Sequence, residues 1–236
     1  SLSRSQRLPT AEELYANGPH AATRTVELGD PDLDRETAIN AELGLRRTRG
    51  AVTFDVSVYR NEVDDFIYAA DTGADPGAGY RVVEYRQYDA MVETQKLIGI
   101  SLEGSVGWQV TAATGLTLFG DSVRGRLKDG GDLPRIPADR VGVRLDQRLT
   151  GSVSAQMEAS QVMRQDNTAD YETETGDYTL LGAGLNWRGQ LGESDLLLYL
   201  RGNNLLSEKA RQHSSFIKDE VLLPGRNLTV GARLVF

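Results

Sequence analysis

Two histidines, His20 and His213, occur in 236 residues, and no cysteine accompanies them. Imidazole and carboxylate are then the metal-binding groups on offer, and a zinc ion gathers about four N, S or O donors in a tetrahedron. Acids follow each histidine in the chain: Asp30, Asp32 and Asp34 after His20, Asp219 and Glu220 after His213. His20, His213, Asp219 and Glu220 form the candidate ligand set. A purely structural role is the simpler chemistry, with His20 following a turn at Pro19 and His213 and Asp219 ordering a loop. Catalysis finds little support. Ser214 and Ser215 adjoin His213, but a nucleophile, base and orienting acid must converge in space, which adjacency does not supply. The GAGL string at 182–185 lacks the strand-to-helix setting of a phosphate loop.

Both histidines fall in polar connections between strands. Apolar and polar residues alternate over stretches of about ten residues, the length of a tilted strand crossing a bilayer. In NLTVGARLVF, Leu228, Val230, Ala232, Leu234 and Phe236 share one face and Thr229, Gly231 and Arg233 the other. RVGVRLDQRL sets Val141, Val143, Leu145 and Leu149 against Arg140, Arg144, Asp146 and Arg148. A dry core would reject those charges, so the second face is wet. Arg140, Arg144, Asp146, Arg148, Glu158, Arg201 and Arg233 are expected to point inward.

The pattern predicts strands over 1–8 (incomplete), 35–47, 51–68, 80–107, 114–126, 138–149, 151–164, 177–188, 194–205 and 225–236. Short turns at 48–50, 108–113, 150 and 189–193 alternate with long polar connections at 9–34, 69–79, 127–137, 165–176 and 206–224. Consecutive antiparallel strands with every long loop at one end are the pattern of a transmembrane β-barrel. Aromatics fit two interfacial girdles, with Trp108, Trp187 and Phe236 at the short-turn end and Phe66, Tyr68, Tyr80 and Tyr178 at the other. A soluble sandwich also alternates, but it does not need its loops sorted by end.

Composition narrows the classes further. No apolar run exceeds five residues, as in Leu196 to Leu200, whereas a membrane-crossing helix needs about 20. A formal charge of -8 leaves no basic footprint for nucleic acid. Without cysteine there is no disulfide framework. The loop acids Asp71, Asp75, Asp129, Asp132, Asp166, Asp170, Glu172, Glu174 and Asp177 would concentrate cations, or simply keep the surface soluble. Nine full strands and a partial one cannot close by the even-strand rule, so the chain reads as the C-terminal part of something larger.

Specific motifs agree. The last eight residues read polar, any, Gly, any, any, apolar, any, aromatic, and with Gly231, Leu234 and Phe236 they resemble the C-terminal signal that directs outer-membrane proteins to barrel assembly. RLPTAEELYANGPHAAT (7–23), with Pro9, Glu13, Leu14 and Tyr15, and ELGDPDLDRETAINAELGLR (27–46) resemble the loop and following strand of TonB-dependent receptors. YRNEVDDFIY (59–68), FGDSVRGRL (119–127) and the stretch from Arg201 to Phe236 are similar to the same family. NGPH, RQHSSFIKD and LPGRN resemble its zinc-uptake branch. One departure is Glu93, Thr94 and Gln95, where the family shows Gly-x-Glu in a long descending strand.

The resemblance implies an all-β, antiparallel transmembrane barrel of about 22 strands in the outer membrane. Residues 1–236 would be its C-terminal part, about ten strands, with the plug domain and first barrel half lying outside this sequence. Residues 1–8 become the end of an ascending thirteenth strand, a parity that the loop lengths reach independently. The implied activity is active uptake of a scarce nutrient, zinc or another divalent metal first. Zinc is then a transported ligand, with no resident cofactor and no enzymatic activity. The implied partners are the TonB complex through the absent N-terminal region, the barrel-assembly machinery through the last strand, and outer-membrane lipid. Two alternatives are a receptor for a siderophore, other metal chelate or small organic cargo, and a small barrel acting as adhesin or enzyme.

Overall fold

The computed structural model describes residues 1–94, 96–97, 100–101, 103–128 and 130–235. The chain runs through β1 (Leu2–Arg7), α1 (Ala11–Tyr15), β2 (Asn17–His20), β3 (Thr25–Leu28), β4 (Glu36–Arg47), β5 (Val52–Asp71) and β6 (Arg81–Thr94). It continues with the two-residue strands β7 (Lys96–Leu97) and β8 (Ile100–Ser101), then β9 (Glu103–Gln109), β10 (Thr114–Asp121), β11 (Val123–Leu127) and β12 (Arg140–Arg148). It ends with β13 (Val153–Val162), β14 (Tyr178–Leu191), β15 (Ser194–Asn203) and β16 (Asn227–Val235). Fourteen of these strands share one sheet, and β7 pairs with β8 alone.

The sheet is an antiparallel meander of interrupted staves. β1 pairs with β4 and β4 with β5. The upper part of β5 faces β6 and its lower part, Val52 to Ser57, faces β9. β6 and β9 therefore act as one stave, and so do β11 and β10, which lie against them. From β12 to β16 each strand pairs with the next. Counted in this way the wall has the ten staves that the alternation predicts. Among the described residues β1 pairs only with β4 and β16 only with β15, so the sheet stays open.

Three sequence expectations are corrected. The run 80–107 is not one strand. β6 stops at Thr94, inside the Glu93-Thr94-Gln95 departure, and a two-residue hairpin intervenes before β9; Gln95 itself lies outside the described residues. Pairing with β5 resumes at Glu103, and at Gly104 φ is +149° and a Cβ would sit 2.0 Å from the Asp55 carbonyl oxygen, so only glycine fits. The connection 9–34 is not bare loop, since it folds into α1 and the β2–β3 hairpin. β3 then pairs in parallel with β6, from Thr25 opposite Arg81 to Leu28 opposite Glu84. Finally, β5 runs on to Asp71 through a bulge between Val63 and Phe66, with Asp65 at φ 58°. The strand expected to end at residue 68 thus continues past Tyr68 to Asp71.

Register turns the alternation into two faces. Leu116 lies opposite Leu145, Leu145 opposite Met157, Leu185 opposite Leu200, and Leu200 opposite Val230, forming one apolar belt across six strands. Apart from the half-buried Leu116 these side chains are exposed, Val230 to 79%, an arrangement that suits hydrocarbon and would be an aggregation surface in water. The opposite face carries the expected charges. Arg140 pairs with Asp121 and Arg144 with Glu158, both at 2.7 Å. Asp146, Arg148 and Arg201 line a polar hollow of about 640 Å³ near the short turns. Aromatic rings on this face lie over glycines of the neighbouring strand. A Cβ on Gly142 would meet the Phe119 ring at 2.2 Å, and one on Gly231 the Tyr199 ring at 2.2 Å.

The dry core is elsewhere. Leu33, Ile67, Ala69, Val83, Leu133 and Ala210 are buried, together with the polar Thr25, Gln165, His213 and Lys218, and all belong to the long loops or the strand ends beside them. Among the described residues no helix is long and apolar enough to cross a membrane.

Candidate functional site

The first long connection is tied down through the motif that Pro9 opens. Thr10 caps α1 by accepting from the Glu13 N–H at 3.3 Å, and Glu13 returns a carboxylate to the Thr10 N–H at 2.7 Å. Arg7 donates to both Glu13 oxygens, at 3.0 and 2.8 Å, and to Glu36 at 2.8 Å, joining α1 to β1 and β4. Leu14 and Tyr15 lie against Gly29, where any Cβ would come within 2.6 Å of their backbone. The motif therefore holds the two ends of this excursion together, and the β2–β3 hairpin is carried on that support.

His20 stands at the end of β2, with its Nδ1 2.9 Å from Glu27 Oε1. Glu27 also accepts from Thr25 Oγ1 at 2.9 Å and, through Oε2, from the Tyr85 hydroxyl at 3.4 Å. Burial would raise the Glu27 pKa, but the bonds from His20 and Thr25 outweigh it, so the group is held below the ordinary carboxylate range. Glu12 joins them from α1. The ligand atoms of Glu12, His20 and Glu27 lie within 4.8 Å of one another, the one such trio of metal-capable side chains among the described residues. One imidazole and two carboxylates suit zinc or another divalent transition metal.

His213 has a different environment. It is 3% exposed, with Nδ1 3.0 Å from Thr175 Oγ1 and Nε2 3.2 Å from Glu172 Oε1. The network fits the tautomer in which Nε2–H donates to Glu172 and Nδ1 accepts from Thr175. Lys218, 2% exposed, donates to Glu172 Oε1 at 2.9 Å. The Arg135 backbone N–H donates to the same oxygen, also at 2.9 Å. Burial would raise Glu172, yet the bonds from His213 and Lys218, the Lys218 charge and the Arg135 N–H hold it down at about 2. Burial pushes the Lys218 ammonium down, against the pull of Glu172. The expectation of a solvated loop acid at Glu172 is corrected: its side chain is 7% exposed and joins three loops.

The sequence-derived ligand set does not converge. His20 and His213 have separate partners, Asp219 accepts from Thr173 at 2.6 Å, and Glu220 pairs with Arg24 at 2.5 Å. Asp30 accepts from the Asp32 N–H, and the Asp34 N–H donates to Gln87, both at 2.9 Å. Sequence reasoning does not select Glu12, Glu27 or Lys218 as site residues. For Glu27 a signal exists, since alternation in TVEL puts Thr25 and Glu27 on one face seven residues from His20. In the C-terminal strand Gly231 lies under Tyr199, and Leu234 sits on the apolar belt opposite Leu196. Phe236 lies outside the described residues.

Solved structures of similar fold include the copper transporter OprC, at TM-score 0.79 and 17% identity over 98% of this chain and 36% of that one. The siderophore receptor PirA from Acinetobacter baumannii gives 0.64 and 16%, covering 99% of this chain and 38% of that one. A mutant of the ferric enterobactin receptor PfeA from Pseudomonas aeruginosa gives 0.67 and 16%, covering 99% and 37%. Among curated proteins, the vitamin B12 transporter BtuB of Vibrio vulnificus is 35% identical over 75 residues, 32% of this chain and 11% of that protein. The chain thus spans little more than a third of the structures it resembles. Residues 1–205 match the family described as TonB dependent receptor-like, beta-barrel, and with that match the chain belongs to this outer-membrane receptor family.

Proposed function

We propose that this chain is the C-terminal part of the barrel of a TonB-dependent outer-membrane transporter whose cargo is a divalent transition metal, zinc in the first place. The observation that carries the reading is the Glu12, His20 and Glu27 trio on the long-loop side, supported on α1 and on a hairpin bonded to the wall. In this reading the external loops capture the ion, and a plug domain outside this sequence completes its coordination and passes it inward. TonB supplies the energy through that same region. The last strand, with Gly231, Leu234 and Phe236, addresses the protein to barrel assembly. An N/O donor set without thiolate favours zinc over a soft monovalent metal.

The test is zinc binding and zinc-limited uptake by cells expressing the native receptor or its variants. Saturable zinc binding that falls at least tenfold in His20→Ala and Glu27→Gln, with uptake lost in parallel, is the expected result, an order of magnitude drawn from the loss of one ligand or its neighbour. Absence of saturable binding, or binding indifferent to both substitutions, overturns the metal reading.

A further inference from the structure

We infer that a cavity beneath the long loops is a separate binding site, for a flat aromatic anion of the benzoate class. The cavity measures about 250 Å³ and is lined by Phe66, Tyr68, Tyr85, Phe216 and Leu133, with Arg135 in its wall. Phe66 and Tyr68 are near-parallel, with centroids 6.1 Å apart and planes within 13°, and they set two aligned aromatic rings in the cavity lining. A ring laid on either gains offset stacking as well as apolar burial.

Arg135 supplies the sign of the ligand. Its guanidinium carbon stands 3.9 Å from the Phe216 ring centroid, and its Nη2 makes a long 3.4 Å approach to the Ala69 carbonyl. Among the described residues no carboxylate lies within ion-pair distance of it. Glu172 receives the Arg135 backbone N–H and leaves the guanidinium unpaired. Burial pulls this guanidinium below its ordinary range, the mark of a charge whose solvation has been removed without full replacement. A partly buried cation is costly unless paired, and a carboxylate entering the cavity supplies the pair as a charge-assisted, bidentate bond. Aromatic walls disfavour a bare phosphate, and the arginine disfavours a cationic ring. The lining rings are half-buried, which leaves a path for exchange.

The site stands apart from the metal trio but touches it, because the Tyr85 hydroxyl that reaches Glu27 belongs to a ring of the cavity wall. The experiment is equilibrium dialysis of labelled benzoate against outer-membrane vesicles bearing the native receptor, with benzylamine as the ring of opposite charge. Saturable benzoate binding, not displaced by benzylamine and weakened about tenfold or more by Arg135→Gln, is expected. Arg135→Lys keeps the charge and should retain part of the binding, which separates loss of charge from collapse of the loop. No saturable binding to the native receptor overturns the proposal, as does equal binding by Arg135→Gln. Zinc binding measured on the same vesicles keeps the two readings distinct: zinc without benzoate removes the cavity site and leaves the metal reading standing.

Discussion

Glu172 carries more of the loop architecture than either histidine. One oxygen receives His213, Lys218 and the Arg135 backbone, so three connections that are far apart in the chain meet at one atom. Its folded pKa of about 2 lies below the ordinary 4.5, so its contribution is complete above about pH 4.5 and disappears as pH falls toward 2. Hydrogen exchange across 163–177 and 204–226 should stay slow at neutral pH and accelerate through that acid window while the wall strands remain protected. Lys218→Ala removes the cation and leaves the buried carboxylate only the His213 and Arg135 N–H donors, a loss of about 3 kcal/mol in local stability, at the lower end for broken buried pairs. The same exchange experiment at neutral pH should then show both loops open. Little of this is legible in the sequence. Thr175 and His213 are 38 residues apart and Glu172 and Lys218 are 46, and no periodicity encodes a meeting of two loop tips. Being polar, Glu172 and Lys218 look like solvated residues until their partners are known.

The strands are far more legible, because lipid on one side and a wet lumen on the other write a period of two into each stave. Val141, Val143 and Leu145 against Arg140, Arg144 and Asp146 identify both faces of β12 by alternation alone. A charge moved to the wrong face should therefore be costly. Leu145→Arg on the belt is expected to destabilise the folded barrel by about 2–4 kcal/mol near mid-membrane, and Arg144→Leu on the other face by clearly less. Unfolding midpoints in urea with lipid vesicles would rank them. The pairing of Phe119 with Gly142 makes a second prediction. Gly142→Val should cost about 1–3 kcal/mol through overpacking, and much of the loss should return when Phe119→Ala is added. Heat-modified gel mobility of the folded barrel reads both outcomes. Alternation does not reveal the break after Thr94, since KLIGISLEG still alternates well enough to pass for strand. The one local hint is the departure at Glu93, Thr94 and Gln95.

Across the whole molecule, loop length and parity are the durable signals. Ten staves with every long connection at one end predict an orientation in which residues 71–78 and 166–174 face outward from the cell. The chain has no cysteine, so Ala78→Cys and Asp170→Cys can be labelled singly without background. Both should react with a membrane-impermeant maleimide on intact cells, whereas Gly192→Cys in a short turn should react only after the outer membrane is opened. The reverse pattern would invert the barrel.

The dry core placed at the loop end has a consequence for how such a surface is seen by other molecules. Loops that are usually pictured as separate flexible peptides are here one folded body, with Arg24 joined to Glu220, Thr173 to Asp219, and Glu172 to its three donors. An antibody approaching from outside meets side chains from several connections at once. Its epitope is a conformational one, and sera raised against single loop peptides should recognise denatured protein on a blot far better than living cells.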